Sequence, residues 1–262
     1  MKIDYLAFDL DGTLLNSKKV IPKDTVVFLK KLKKKIIINS SRHYFEIIEL
    51  IKELPLESIV YIISSEGQYI YNGKGKLIKT FPFLSIADLY ILKRRGYDEM
   101  IFFTDKYDYR FKKSENRGLK KLRGLFNDII TVFCERNCKK KVVNSIVPLL
   151  FLRIEKIVLN NGFDHTLFIN YNVVLSNITE ITHKDVNKYL ALNYLHKVGA
   201  INLDNVLYFG DGLNDLEVFK NVKNTVAMEN AVPEVKENAR FITKSCDENG
   251  VLYLLKQLFI TI

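Results

Sequence analysis

The chain has 262 residues, 48% hydrophobic and 27% charged, which is the balance of a globular protein of one large or two modest domains. Its 40 Lys and Arg outnumber 30 Asp and Glu, and the net charge of +10 points to an anionic partner: phosphate, nucleic acid or a membrane surface. Three cysteines exclude a disulfide framework, and Cys134 and Cys138 lack the further Cys or His cluster a zinc site needs. No run of about 18 apolar residues offers a membrane span. The N-terminal apolar stretch holds Asp4 and Asp9 with no basic region before it, so it is not read as a signal peptide and a cytoplasmic location is expected.

In chain order, Ile3 to Phe8 is a short apolar run of the kind buried in a parallel sheet. Pro22 to Lys35 has helical spacing through Val26, Leu29 and Leu32, with lysines opposite. Ile36 to Ile38 is a second strand, His43 to Glu53 a second helix and Ile59 to Ile63 a third strand. Towards the other end, Asp185 to Val198 is helical, Val206 to Phe209 a strand and Leu213 to Phe219 a helix. Val222 to Ala227 is a strand, Val232 to Ala239 a helix and Phe241 to Thr243 a last short strand. Alternation of this kind predicts an α/β class, a doubly wound parallel sheet with helices on both faces.

The middle differs. Residues 81–180 hold 17 Lys and Arg against 11 Asp and Glu, so +6 of the net charge lies there. Tyr107, Tyr109 and Phe111 alternate with Asp108, Arg110 and Lys112, as in an antiparallel strand with one buried face. An inserted α+β domain over 81–180 is therefore expected between core segments 1–80 and 181–262.

Two acidic clusters carry the chemistry. The first strand runs into Asp9-Leu10-Asp11-Gly12-Thr13-Leu14, and the late strand into Gly210-Asp211-Gly212-Leu213-Asn214-Asp215. Ligands gather beyond the carboxyl ends of the strands of an open α/β sheet. Each cluster alone is ordinary turn chemistry. Brought together, the carboxylates would repel unless a hard divalent cation joined them, and Mg²⁺ prefers a few carboxylates plus waters and phosphate.

These two runs resemble the first and fourth motifs of the haloacid dehalogenase-like superfamily. Val226-Ala227-Met228-Glu229-Asn230-Ala231 with Val235-Lys236, and Asp247-Glu248-Asn249-Gly250-Val251, resemble the tail signature of its Cof-type branch. The resemblance implies a Rossmann-like core with a mobile cap, and a Mg²⁺-dependent phosphatase. It also implies the site residues. Asp9 is the nucleophile that forms an aspartyl-phosphate, and Asp11 the acid and then base. Ser40 is the second-motif hydroxyl and Lys184 the third-motif lysine, both holding phosphoryl oxygens. Asp211 ligates Mg²⁺ together with Asp9 and the Asp11 backbone carbonyl, while Asn214 and Asp215 position metal waters and the lysine.

Departures bear on substrate. Ser40-Ser41-Arg42 stands where the family usually has Thr-Gly-Arg; Ser41 and Arg42 join the phosphate or substrate contacts, or Arg42 is a solvated helix start. Glu66-Gly67 stands where Asn-Gly is common; Glu66 either disfavours highly anionic substrates at the site entrance or is an exposed turn residue. Asp185 stands where a glycine often follows the lysine. His43 and His183 read as supporting or surface residues, Met228 as packing beneath the site loop, and Asn177, Thr179 and Glu180 as a region where substrate is contacted.

The expected partner is a small phosphorylated metabolite, most simply a sugar phosphate; no nucleic acid and no membrane are expected, and the oligomeric state is open. A sugar phosphomutase is the nearest alternative. A nucleic-acid or regulatory binding module rests only on the basic, aromatic middle. Lys112, Lys113, Lys120 and Lys121 of that middle are expected to draw anionic metabolites to the core.

Overall fold

The computed structural model describes residues 2–84, 99–104, 108–112, 130–133, 141–143, 153–159, 171–175 and 179–259. The chain divides into two units: Met1–Phe81 with Val186–Ile262, and Pro82–Asp185 inserted between them in sequence.

The first unit is organised by β1 (Tyr5–Phe8), β2 (Lys35–Asn39), β3 (Ile59–Ser64), β4 (Tyr69–Asn72) and β5 (Leu77–Thr80), then β13 (Val206–Gly210), β14 (Thr225–Ala227) and β15 (Phe241–Ile242). These form one sheet in the order β15-β14-β13-β1-β2-β3-β4-β5. The pairs from β15 to β3 are parallel, and β4 and β5 close that edge antiparallel. In register, Phe8 lies between Phe209 and Ile38, so the chain leaves β1, β13 and β2 on the same edge of the sheet.

Period-two alternation sorts the strand residues into two cores. Leu6, Phe8, Ile36, Ile38, Leu207 and Phe209 pack with Val26 and Leu29 of α1 (Lys23–Leu32), Ile47 and Ile51 of α2 (Tyr44–Ile51), and apolar residues of the C-terminal helix Gly250–Phe259. Ala7, Ile37, Val206 and Tyr208 face the other way, onto Ala191, Leu192 and Leu195 of α3 (Lys188–Lys197), Val218 and Phe219 of α4 (Leu216–Asn221), and Val235 of α5 (Pro233–Glu237). Helices on both faces are why these strands read as continuous apolar runs.

Sequence periodicity missed three elements. The β4–β5 hairpin turns through Asn72, whose Oδ1 accepts from the backbone N–H of Lys74 and Lys76, with Gly75 at φ 78°. The C-terminal helix, α6, buries Val251, Leu254 and Leu255 at i, i+3 and i+4. The segment expected as one helix from Leu213 opens as a 3₁₀ turn, Leu213–Asp215, because the Asp215 carboxylate accepts from Asp211 N–H and Gly212 N–H and ties the turn back on itself.

Of the second unit, the described residues include β6 (Glu99–Thr104), β7 (Asp108–Lys112), β8 (Ile130–Phe133), β9 (Lys141–Val143), β10 (Ile154–Leu159), β11 (Tyr171–Leu175) and β12 (Thr179–His183). They form a separate sheet in the order β11-β12-β10-β6-β7-β8-β9, antiparallel throughout. β7 is the strand expected around Tyr109 and Phe111. Tyr107, Lys113, Lys120, Lys121, Cys134, Cys138 and Asn177 lie outside the described residues. Among the described residues no helix is long and apolar enough to cross a membrane.

Candidate active site

Strand ends assemble the site. Asp9 follows β1 and is buried; Asp211 follows β13; Asp215 closes the next turn and is inaccessible to solvent. One carboxylate oxygen from each lies within 4.8 Å of the others. Close approach depends on Gly12, at φ 77°: a Cβ there would stand 2.2 Å from Asp211 Oδ2, so any other residue would push the two acidic loops apart.

The cation that joins these acids within the protein is Lys188, not Lys184. Lys188 is fully buried, with Nζ 2.7 Å from Asp9 Oδ1 and 2.7 Å from Asp215 Oδ1. Burial opposes its charge, but Asp215 and Asp9 outweigh that and hold it protonated. Lys184 is exposed and belongs to the second unit. The inward turn of Lys188 has a local cause. The helix begins at the Asn187 cap, whose Oδ1 accepts from Leu190 N–H, and Lys188 shares its buried face with Ala191, Leu192 and Leu195, at i, i+3, i+4 and i+7. A lysine in that position needs buried carboxylates, and Asp9 and Asp215 supply them.

Asp215 is saturated. Its Oδ1 accepts from Lys188 and from the buried hydroxyl of Tyr208 at 2.7 Å, and its Oδ2 from two backbone N–H groups at 3.0 and 3.1 Å. With its lone pairs committed, it orients Lys188 and the turn and leaves Asp9 and Asp211 as the carboxylates open to a cation. Asp211 is steered by Thr13, whose Oγ1 donates to Oδ1 at 3.0 Å, and by Asn230, whose Nδ2 reaches Gly12 O at 2.8 Å and Asp211 Oδ2 at 3.3 Å. Burial, then the neighbouring Asp215, raises the Asp211 carboxyl to about 6. Burial also raises Asp9 well above the ordinary carboxylate range, against the pull of Lys188. Hard oxygen donors crowded together, with their protons held on by burial first and by neighbouring carboxylates after it, fit a divalent cation.

Asp11 has the opposite environment. Arg42 grips it through Nε–Oδ2 at 2.6 Å and Nη2–Oδ1 at 2.8 Å, and Lys19 Nζ adds a contact to Oδ1 at 2.6 Å. Burial would raise its carboxyl, but the bonds to Arg42 and Lys19 prevail and hold it at about 2. Arg42 is thus paired with Asp11 rather than being a merely solvated helix start. Ser40 is buried at the end of β2, its Oγ accepting from Arg42 N–H at 3.3 Å; Ser41 is half-buried beside it.

Glu66 is buried, not an exposed turn residue, and accepts from Asn214 Nδ2 at 3.2 and 3.4 Å. His43 meets Ser65 Oγ through Nδ1 at 3.1 Å, and Met228 is fully buried in the core cluster beneath the loops. His183 accepts from Asp185 N–H, and Glu180 pairs with Lys156; these, with Thr179, lie in the second unit.

A family profile described as haloacid dehalogenase-like hydrolase matches residues 6–255. The chain belongs to that family. Within it the chain is of the Cof type, and it is a phosphatase. MG265 of Mycoplasma genitalium, named as a candidate phosphatase, is 30% identical over 288 residues, covering 100% of both chains. The 5-amino-6-(5-phospho-D-ribitylamino)uracil phosphatase YwtE of Bacillus subtilis is 28% identical, with 97% of each chain covered. Among solved structures, BT1666 from Bacteroides thetaiotaomicron, described with phosphatases of the same superfamily, superposes with a TM-score of 0.77 at 19% identity, covering 100% of this chain and 96% of that one. TM0651 from Thermotoga maritima gives 0.72 at 22%, with 97% of each covered. Phosphatases of this family act on small phosphorylated substrates and generally use a metal ion, and among the described residues Asp9, Asp211 and Asp215 form an acidic cluster that could hold one.

Proposed function

We propose that the chain is a Mg²⁺-dependent phosphatase of small phosphorylated metabolites, sugar phosphates first among them, acting through an aspartyl-phosphate on Asp9. The observation that carries this reading is the Asp9 carboxylate at the end of β1, fixed by Lys188 at 2.7 Å and adjoining Asp211.

Asp9 and Asp211, with the Asp11 backbone carbonyl, would hold Mg²⁺, and bound there it would supply positive charge for the phosphoryl oxygens. The Asp9 oxygen not engaged by Lys188 attacks phosphorus, forming the acyl-phosphate bond as the ester P–O bond breaks. Asp11 gives its proton to the departing alkoxide, then takes one from the water that attacks phosphorus and frees Asp9. Lys188, with Ser40, holds phosphoryl oxygens as negative charge spreads over them. Asp11 at rest is ionised by Arg42 and Lys19, which favours its base role. An anionic substrate that draws either cation to itself loosens that grip and lets Asp11 carry the first proton. The inserted Pro82–Asp185 unit would act as the cap that selects the leaving group.

Hydrolysis of an aryl phosphate with and without Mg²⁺ tests this reading. Activity should require the cation and fall by about a thousandfold or more in Asp9→Asn. Full activity in that variant would overturn it. With a hexose phosphate, free phosphate is the expected product; an isomerised ester would make the chain a phosphomutase.

A further inference from the structure

We propose that Glu66 is a positioning residue for the cation site: its carboxylate takes the amide NH₂ of Asn214 and thereby turns the Asn214 carbonyl oxygen toward the Asp211–Gly212 turn. The inference deepens the Mg²⁺ reading and rests on it.

The contact joins residues 148 apart in sequence, with Asn214 Nδ2 close to both Glu66 oxygens, at 3.2 and 3.4 Å. An ionised carboxylate only accepts hydrogen bonds, so it can receive the NH₂ side of the amide and not the carbonyl side. The carbonyl oxygen is left against Gly212, where an added Cβ would stand 2.6 Å from it. This sets a fixed acceptor at Gly212, the residue after Asp211, suited to a water carried by a cation that keeps part of its hydration shell. The Glu66 charge also reaches Lys188, which it helps keep protonated.

The backbone shows that this placement is imposed. Ser65, Glu66 and Gly67 are left-handed in succession, at φ 50°, 58° and 96°. Asn and Gly adopt that conformation readily; glutamate does so with strain. The loop is held from both sides. Ser65 N–H donates to Arg42 O at 2.9 Å, and a Cβ on Gly67 would stand 2.3 Å from the Asn187 carbonyl, just before Lys188. Strained residues persist where their surroundings over-determine them. Here the surroundings are the loop of Arg42 and the start of the Lys188 helix, and the result is a buried carboxylate delivered to Asn214.

A double-mutant cycle on the full chain tests the proposal, with Mg²⁺ binding read by calorimetry without substrate. Glu66→Gln keeps the shape but can offer NH₂ instead of an acceptor, which lets the Asn214 amide turn over. It should weaken Mg²⁺ about tenfold and lower kcat with KM for the aryl phosphate little changed. Asn214→Ala should weaken Mg²⁺ similarly, and Glu66→Gln added to it should cost nothing more. An unchanged Mg²⁺ Kd in Glu66→Gln, or effects that simply multiply in the double variant, would overturn the proposal. A wild-type chain that binds no Mg²⁺ would overturn the metal reading itself and this inference with it.

Discussion

Asp9 and Asp11 are two residues apart on one loop, yet they occupy opposite electrostatic environments. Asp9 is buried with Asp211 and Asp215 around a single ammonium, Lys188. Asp11 is half-exposed, one carboxylate between two cations. The first environment is short of positive charge and the second has a surplus. Two groups of the same chemistry are thereby driven apart, Asp9 held above the ordinary carboxylate range by burial and Asp11 held below it by its bonds to Arg42 and Lys19; the proposed function gives the first the attack on phosphorus and the second the proton transfers.

The largest test of that contrast concerns its ammonium. Lys188→Met should lower kcat by about 10²–10³-fold, while Lys184→Met should leave it unchanged. Equal losses in the two variants would mean that the buried ion triad does not define the site. Thermal melting of Lys188→Met belongs beside the kinetics, because removing Lys188 leaves Asp9 and Asp215 buried without it.

Metal and pH sharpen the carboxylate-rich side. Asp211 is raised to about 6 in the folded chain, so without metal its ionisation opposes folding. The folded state holds that proton more tightly than the unfolded one, so stability from this group is lost as pH rises from about 4 to about 6. On the proposed function, Mg²⁺ would compete for the same carboxylate. The rise in Tm on adding Mg²⁺ should therefore be small near pH 5 and grow towards about pH 7.5. A Mg²⁺ effect that shrank with rising pH would contradict the arrangement, and stripping the ion with a chelator should reverse the gain.

The smallest effect is at Asp11. Its folded-state carboxyl, held at about 2, lies below its unfolded value, so its contribution is present above about pH 4 and lost as pH falls towards 2. Both partners are partly solvated, so Arg42→Ala should cost about 1 kcal/mol or less at neutral pH. The Tm gap between variant and wild type should close on acidification through that window. A gap that widened would show that Arg42 stabilises the fold by some other contact.

What was legible in the sequence follows from distance along the chain. Asp9, Asp11, Asp211, Asn214 and Asp215 sit in short runs just past apolar strands, and a strand end in a parallel sheet specifies where its next residues go. Lys188 was harder because two lysines one helical turn apart look alike until the Asn187 cap and the Ala191–Leu195 face fix which one turns inward. Glu66 leaves two readings open in the sequence, an acid at the site entrance or an exposed turn residue, because its partner, Asn214, lies 148 residues away. Asn230 and Tyr208 were unassigned for the same reason: an Asn in a loop and a Tyr in a buried strand carry no local sign that Asp211 and Asp215 will meet them. The inserted unit is legible as an antiparallel sheet through the alternation around Tyr109, but nothing local in its charge pattern names a substrate.

On the proposed function, Asp9 itself carries the phosphoryl group between the two half-reactions. The direct measurement is mass spectrometry of acid-quenched Asp11→Asn protein after mixing with an aryl phosphate and Mg²⁺. That leaving group departs with little proton assistance, while the water-attack step lacks its base, so the intermediate should accumulate. One phosphoryl mass on the peptide containing Asp9, absent when Asp9 is also changed to Asn, is the predicted result. Continued hydrolysis with no such adduct, or an adduct on another residue, would contradict the account.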